Sequence, residues 1–378
     1  MHRVLLLLPP LLGWGVLTWI AGWRAGFLLL LGLGFGAALS AARFGFTTGW
    51  RNLLVSKDPW GMIGQMVLMA LCAVMAFPLL TLYADEISGA VAPITWALLI
   101  GSLAFGFAMQ LADGCGSGTL YKAGASSPTS WVVLPAFIAG SFIGASHQTD
   151  WAALGGPLEA IGWHEAAEPL DLVEMVGLNT ALAITLTLCA LVAMVSYGLA
   201  ARHARRTGRP IPGAPQRWLW GAIAIALLYA VHLVVAGQPW GIVYGLGLWG
   251  AKAVSAAGVD LSQDSFWGAT PHADRLLEPI VWDVTSVTNI GLLWGALVAS
   301  RWTKKDFHLK AWPPLSALAI SVAAGLLMGY SSRLAYGCNV GAYLGGVASA
   351  SVHGWLWFVF AFLGSIVGVK VRQKAGIT

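Results

Sequence analysis

Charge is what this sequence has least of. Asp, Glu, Lys and Arg supply 10% of its 378 residues, against 58% apolar residues, where a soluble domain carries about a quarter charged. That scarcity, with a mean hydropathy of +0.74, excludes an ordinary soluble enzyme. Metal-ligand spacing is missing too. None of the four cysteines, Cys72, Cys115, Cys189 and Cys338, stands in a Cys-x-x-Cys or zinc-type pattern, so no metal site, disulfide framework or cofactor is expected. A G-x-x-x-x-G-K-[ST] phosphate loop is absent, and no cytoplasmic loop is long enough for an ATPase domain, so the chain is not expected to pump on its own. A basic nucleic-acid face is lacking as well: the excess charge of +5 sits at the ends of apolar runs. No A-x-A-like cleavage site follows residues 3–21, whose Trp and Pro favour a retained first span over a signal peptide.

What remains is an all-α polytopic membrane protein in a lipid bilayer. Apolar runs near span length, ~17–25 residues, predict about ten helices: 4–21, 26–42, 60–83, 92–111, 131–147, 176–199, 218–236, 280–300, 314–333 and 354–370. The 47 glycines and 20 tryptophans suit close helix packing and membrane interfaces. Loop charge orients the chain. Segment 150–174 holds Asp150, Glu159, Glu165, Glu168, Asp171 and Glu174 with no Lys or Arg. Segment 201–217 holds Arg202, Arg205, Arg206, Arg209 and Arg217; Arg301, Lys304, Lys305 and Lys310 follow the 280–300 span, and Lys370, Arg372 and Lys374 close the chain. Positive loops stay in the cytoplasm. Both termini, Arg43, Arg51, Lys57 and Lys122 are therefore expected inside a bacterial inner membrane. Arg24 falls outside, against the rule.

The chain also repeats itself. Residues 101-GSLAFGFAMQLADGCGSG-118 align with 324-AGLLMGYSSRLAYGCNVG-341 at an offset of 223, with seven of eighteen positions identical, among them Gly114/Gly337, Cys115/Cys338 and Gly118/Gly341. Further on, 139-AGSFIG-144 answers 363-LGSIVG-368 after a shift of one residue. The first copy ends a span at the inner side and the second ends one at the outer side. That is the inverted-repeat plan of many transporters, with the substrate near the midplane. It divides the chain into a first half over 1–175, a linker helix and basic loop over 176–217, and a second half over 218–378.

After each G-C-x-x-G comes a polar, small-residue stretch, 116–130 and 339–353, too polar for a lipid-facing span. Each reads as a short re-entrant helical hairpin, since non-helical backbone at membrane depth is tolerated only inside protein or along a wet cavity. Glycine would permit the turn and bare amide groups to a ligand. A neutral thiol is a soft, polarisable contact, suited to a sulfur-bearing anion. Candidate pathway residues are Cys115, Cys338, Gly114, Gly116, Gly118, Gly337, Asn339 and Gly341. Arg333 and Asp113 lie near the motifs, and intramembrane charge is usually functional. Lys252 lies in a further glycine-rich stretch, 238–258, whose inverted counterpart is 43-RFGFTTGWRNLL-54, containing Gly45. Cys72 and Cys189 sit in plain apolar helices and read as packing.

Four segments, 43-RFGFTTGWR-51, 113-DGCGSGTLYKAG-124, 239-PWGIVYGLGLWGAK-252 and 337-GCNVGAYLGGVASASVHGW-355, together resemble the YeeE/YedE family of sulfur-transport membrane proteins, over about residues 32–370. The resemblance implies an inverted-repeat helical fold with re-entrant helices and passage of thiosulfate past Cys115 and Cys338. It also implies a small soluble cytoplasmic sulfurtransferase as partner. Relatives carry a cysteine where this chain has Gly45, and some are linked to selenium. Thiosulfate or a related anion is therefore expected, with a selenium compound as the alternative. A membrane sulfurtransferase or thiol oxidoreductase would need an activated thiolate beside a base, and His147, His232 and His353 are scattered in the sequence.

Overall fold

The computed structural model describes residues 4–162, 168–303 and 311–377. Glu165, Lys304, Lys305 and Lys310, used above for orientation, lie outside them. The first half comprises α1 (Leu8–Ala42), α2 (Phe46–Val55), α3 (Trp60–Leu82), α4 (Trp96–Leu111), α5 (Gly116–Gly124) and α6 (Pro128–Ser146). The acidic loop carries three short helices, α7 (Gln148–Ala152), α8 (Pro157–Ala160) and α9 (Leu172–Val176). The long α10 (Leu178–Thr207) leads to α11 (Gln216–Ala236), α12 (Val243–Ala256), α13 (His272–Leu277), α14 (Val284–Thr303) and α15 (Leu315–Leu334). A π helix, Asn339–Leu344, runs on into α16 (Gly345–Ala348), and α17 (Val352–Lys374) ends the fold. Among the described residues there is no strand, only two isolated bridges. Among the described residues, eight helical segments are long and apolar enough to cross a membrane.

The first of these is two spans rather than one. At Gly22 the backbone leaves the helix, with φ 86° and ψ 170°. Leu7 and Pro10 share an apolar pocket with Leu33 and Ala37, though a straight helix would hold residues 7 and 37 about 45 Å apart. The expected spans 4–21 and 26–42 are therefore the arms of an antiparallel hairpin. Arg24 stands at its turn. Its Nε donates to Val235 O at 2.8 Å and its Nη2 to Ala236 O at 2.7 Å. It caps the C-terminal carbonyls of α11, where a cation is favoured, and this explains a positive charge on the acidic face.

The expected linker helix is longer than 176–199. It continues to Thr207, with Gly208 in the left-handed conformation (φ 70°) as its cap. Arg202, Arg205 and Arg206 thus ride on its last turns instead of in a loop. Its buried residues, Ala181, Thr185, Cys189, Ser196 and Ala200, form one stripe against α3. Cys72 lies in the main core.

The tightest packing runs between the two halves, in matched pairs: α4 with α17 and α6 with α15, α1 with α14 and α3 with α11. Glycines make the first two pairs possible. Gly106 faces the Ala361 carbonyl, and its counterpart Gly329 faces that of Phe137. Gly364 faces the Leu103 carbonyl, and Gly140 that of Leu326. A side chain at any of the four would collide with main chain, so the helices are in backbone contact.

Candidate functional site

The two cysteine motifs fold alike. Asp113 and Tyr336 adopt the left-handed conformation, with φ 59° and 58°. Gly114 N donates to Met109 O at 3.2 Å, and Gly337 N to Ser332 O at 2.8 Å. Cys115 then caps α5 with φ/ψ of −88°/−167°, and Cys338 caps the π helix with −91°/−169°. Thr119 N donates to Cys115 O at 2.8 Å, and Ala342 N to Cys338 O at 2.9 Å. The residue before the glycine, not the glycine alone, supplies the reversal. Gly114 is required by crowding: a Cβ would lie 3.0 Å from Thr119 N. Gly337 is required twice over, by φ 148° and by Ala342 N at 2.7 Å.

The motifs meet. A Cβ on Gly116 would lie 2.9 Å from Cys338 Sγ, so the first turn of α5 abuts the other hairpin's cysteine. Both sulfurs are buried, at 1% and 0% exposure, and both thiols are free. Cys115 Sγ accepts from Gly118 N at 3.4 Å and lies 3.4 Å from Ser117 Oγ. The hairpins come from opposite faces, because Tyr336, at the end of α15, bonds Thr95, at the start of α4, at 3.3 Å. Cys115, Cys338, Gly114, Gly116, Gly118, Gly337, Asn339 and Gly341 thus form one central cluster. Gly45 lies close by. It caps α2 in an extended conformation, and a Cβ there would find Tyr121 OH at 3.4 Å and Thr48 Oγ1 at 3.5 Å. There is room for a side chain at that position.

On one face of this cluster Asp113 collects three cations. Its carboxylate lies 2.8 Å from Arg51 Nη1, 2.8 Å from Lys122 Nζ and 3.5 Å from Arg372 Nη2. Arg51 also donates to Gln110 Oε1, and Arg372 to Gln110 O. Residues from α2, α4, α5 and α17 are tied into one knot. The sequence marked Asp113, Arg51, Lys122 and Arg372 as charged residues of one side. Their convergence was hidden because four separate segments supply them.

Arg333 stands apart, at the other end. Its Nη2 donates to Gln148 Oε1 at 3.2 Å, and its guanidinium lies 4.7 Å from the Phe266 ring centre. Its Nε has no partner. His272 stacks on Phe266 at 3.9 Å and bonds Tyr244 OH at 3.1 Å. Burial, then the nearby Arg333 charge, hold the His272 pKa below its ordinary value. Lys252 is not with the cysteines. Its ammonium donates to Leu276 O and Glu278 O, at 2.7 and 2.6 Å, and anchors the loop around α13.

Two buried hydroxyls were not legible as site residues, and the candidate Asn339 was legible without its unpartnered state. Thr47 Oγ1, Thr119 Oγ1 and both amide atoms of Asn339 are buried without a hydrogen-bond partner. Nothing in a lone threonine signals such a state. No group of three metal-ligating side chains occurs among the described residues.

The chain is 25% identical to the thiosulfate transporter TsuA of Spirochaeta thermophila, over 89% of this chain and 96% of that protein. It is also 25% identical to the TsuA of Escherichia coli, over 92% of this chain and 96% of that one. A shorter match, 30% identical over 52% of this chain and 47% of the other, is to the probable transporter YedE of Salmonella typhimurium. A family model described as sulphur transport matches residues 41–367, and by that match the chain belongs to the sulphur-transport, or YeeE/YedE, family.

Proposed function

We propose that the protein takes up thiosulfate, or a closely related sulfur-containing anion, through a narrow central route between the Cys115 and Cys338 hairpins. The observation that carries this reading is the contact of the two cysteine caps at the centre of the fold. Two free thiols in a dry constriction offer soft contacts to a sulfur atom, and a protein that transports must bind weakly enough to release. The TsuA relatives, named as thiosulfate transporters over most of their length, support the same substrate. Arg333 at the outer end is the residue that first meets the anion. The route runs inward to the face that gathers Arg51, Lys122 and Arg372. Those basic residues support an inner-membrane orientation with both termini cytoplasmic, and a soluble sulfurtransferase receives the product on that side.

Ion coupling would need a carboxylate free to take a proton, for which the sequence offers Asp113 and Asp283, and Asp113 is held by three cations. Asp283 Oδ2 accepts from Thr285 Oγ1 and Ser286 N, both at 2.7 Å, as an N-terminal cap of α14. An enzymatic reading finds little support either. His147 bonds Tyr330, His232 bonds Thr288 and His353 bonds Ser351, so each imidazole is engaged away from the thiols.

The test is uptake of radiolabelled thiosulfate by cells lacking their own carrier. Uptake is expected to fall by about tenfold or more in Cys115→Ala and in Cys338→Ala at unchanged protein level. Uptake that survives both changes rules the route out, and sulfite released from thiosulfate by the purified protein establishes the enzyme instead. Competition with selenite separates the selenium alternative.

A further inference from the structure

The two hairpins match closely except at one place. Their offset is 223 at Cys115/Cys338 and becomes 224 at the paired left-handed residues Ser126 and Ala350. The extra residue is taken up in the π helix Asn339–Leu344, where α5 keeps regular α-helical turns. Such single π turns are rare and cluster at functional sites. The first residue of this one is Asn339, where the other hairpin has Gly116.

Asn339 is fully buried at 0% exposure, yet neither its Oδ1 nor its Nδ2 has a hydrogen-bond partner. Buried side-chain amides are nearly always bonded, and an unbonded one carries the full cost of its desolvation. Gly116 abuts Cys338, and α5 is in contact with the π helix that Asn339 opens, so residue 339 belongs to the same cluster as the two thiols. Two residues on, Gly341 has nothing within 4 Å of its Cβ position, so the π helix borders open space. On the first hairpin the Thr119 hydroxyl is likewise buried and unpartnered.

We propose that Asn339 is the polar ligand of the transported anion at the constriction. Its amide N–H donates to the anion's oxygen end while the Cys115 and Cys338 thiols face the soft sulfur end. The substrate class that fits is a small anion with one hard and one soft end. The π turn exists to bring the amide to that point. An uncharged donor holds such an anion without trapping it. This inference rests on the transport reading above and adds the group that recognises the oxygen atoms.

A structural asparagine and a ligating one respond oppositely to removal. In Asn339→Ala the melting temperature of the purified protein is expected to stay level or rise, because an unsatisfied amide is gone. Thiosulfate uptake is expected to fall about tenfold or more, as for the loss of a hydrogen bond to a charged group. Thiosulfate should raise the melting temperature of the wild type but not of Asn339→Ala. Asn339→Asp, which sets a like charge against the anion, should abolish uptake with the fold intact. Wild-type uptake in Asn339→Ala overturns the proposal, as does a loss of uptake that follows a loss of stability. The melting assay is repeated with sulfate, sulfite and selenite. If one of these, but not thiosulfate, stabilises the wild type through Asn339, the ligand role stands and the thiosulfate reading falls. If no anion stabilises the wild type, the ligand role falls.

Discussion

The two cysteine hairpins share one backbone plan and differ as devices. The first turns at Asp113, a carboxylate held by three cations from three helices. The second turns at Tyr336, which makes one hydroxyl contact with Thr95. The backbone reverses the same way in both, so the left-handed residue is dictated by the turn and its side chain is free to specialise. At the first hairpin the side chain binds helices together. At the second it makes a single hydroxyl contact. The geometry of the two cysteine caps is shared, and their surroundings differ.

Three changes probe that contrast. The largest effect is expected from the glycines. Gly337→Ala forces a side chain into a left-handed backbone with main chain 2.7 Å away and is expected to destabilise the protein by about 2 kcal/mol or more. Gly341→Ala, with nothing within 4 Å, should leave the melting temperature within experimental error. Equal effects at the two positions would show that the turn, as described, is wrong.

A smaller effect is expected at the turn residues. Asp113→Asn leaves Arg51, Lys122 and Arg372 without their shared anion. Because the carboxylate is 31% exposed, the expected loss is only about 1–2 kcal/mol. Tyr336→Phe removes one partly exposed hydrogen bond and should cost roughly half of that. Thermal unfolding of both variants in detergent measures the pair, and a larger loss in Tyr336→Phe contradicts the division of labour.

The smallest effect concerns pH and belongs to the Arg333 end alone. His272 has a folded pKa below its reference of 6.5, so the unfolded chain binds the proton more readily. Stability conferred by the neutral imidazole is therefore complete above that reference and declines as pH falls below it. The wild type should lose a little more melting temperature between pH 7 and pH 5 than His272→Phe does. An identical decline in the variant would remove His272 from the account.

Much of this could be read in the sequence, for physical reasons that differ by element. Long apolar helices announce themselves through composition, so nearly every expected span lies within a few residues of an observed helix. The hairpin in α1 was legible because Gly22 and Arg24 interrupt the apolar run. The G-C-x-x-G repeat exposed the paired cysteines, and its one-residue shift foreshadowed the π turn without revealing it. The partners of Lys252 were not legible, because its bonds to the Leu276 and Glu278 carbonyls depend on a loop folded over it. The repeat marked Asn339 as a candidate, but its unpartnered state, like that of Thr47 and Thr119 and like the Asp113 knot, depends on contacts between segments distant along the chain, which local pattern does not carry.

The four glycine contacts between α4 and α17 and between α6 and α15 have a mechanical meaning. Each crosses from one repeat to the other, and together they clasp the repeats like the fingers of folded hands. Two bodies interlaced at main-chain distance have no plane along which to rock. If the proposed uptake is right, the movement that admits and releases the anion is expected in the small elements near the waist rather than between the repeats.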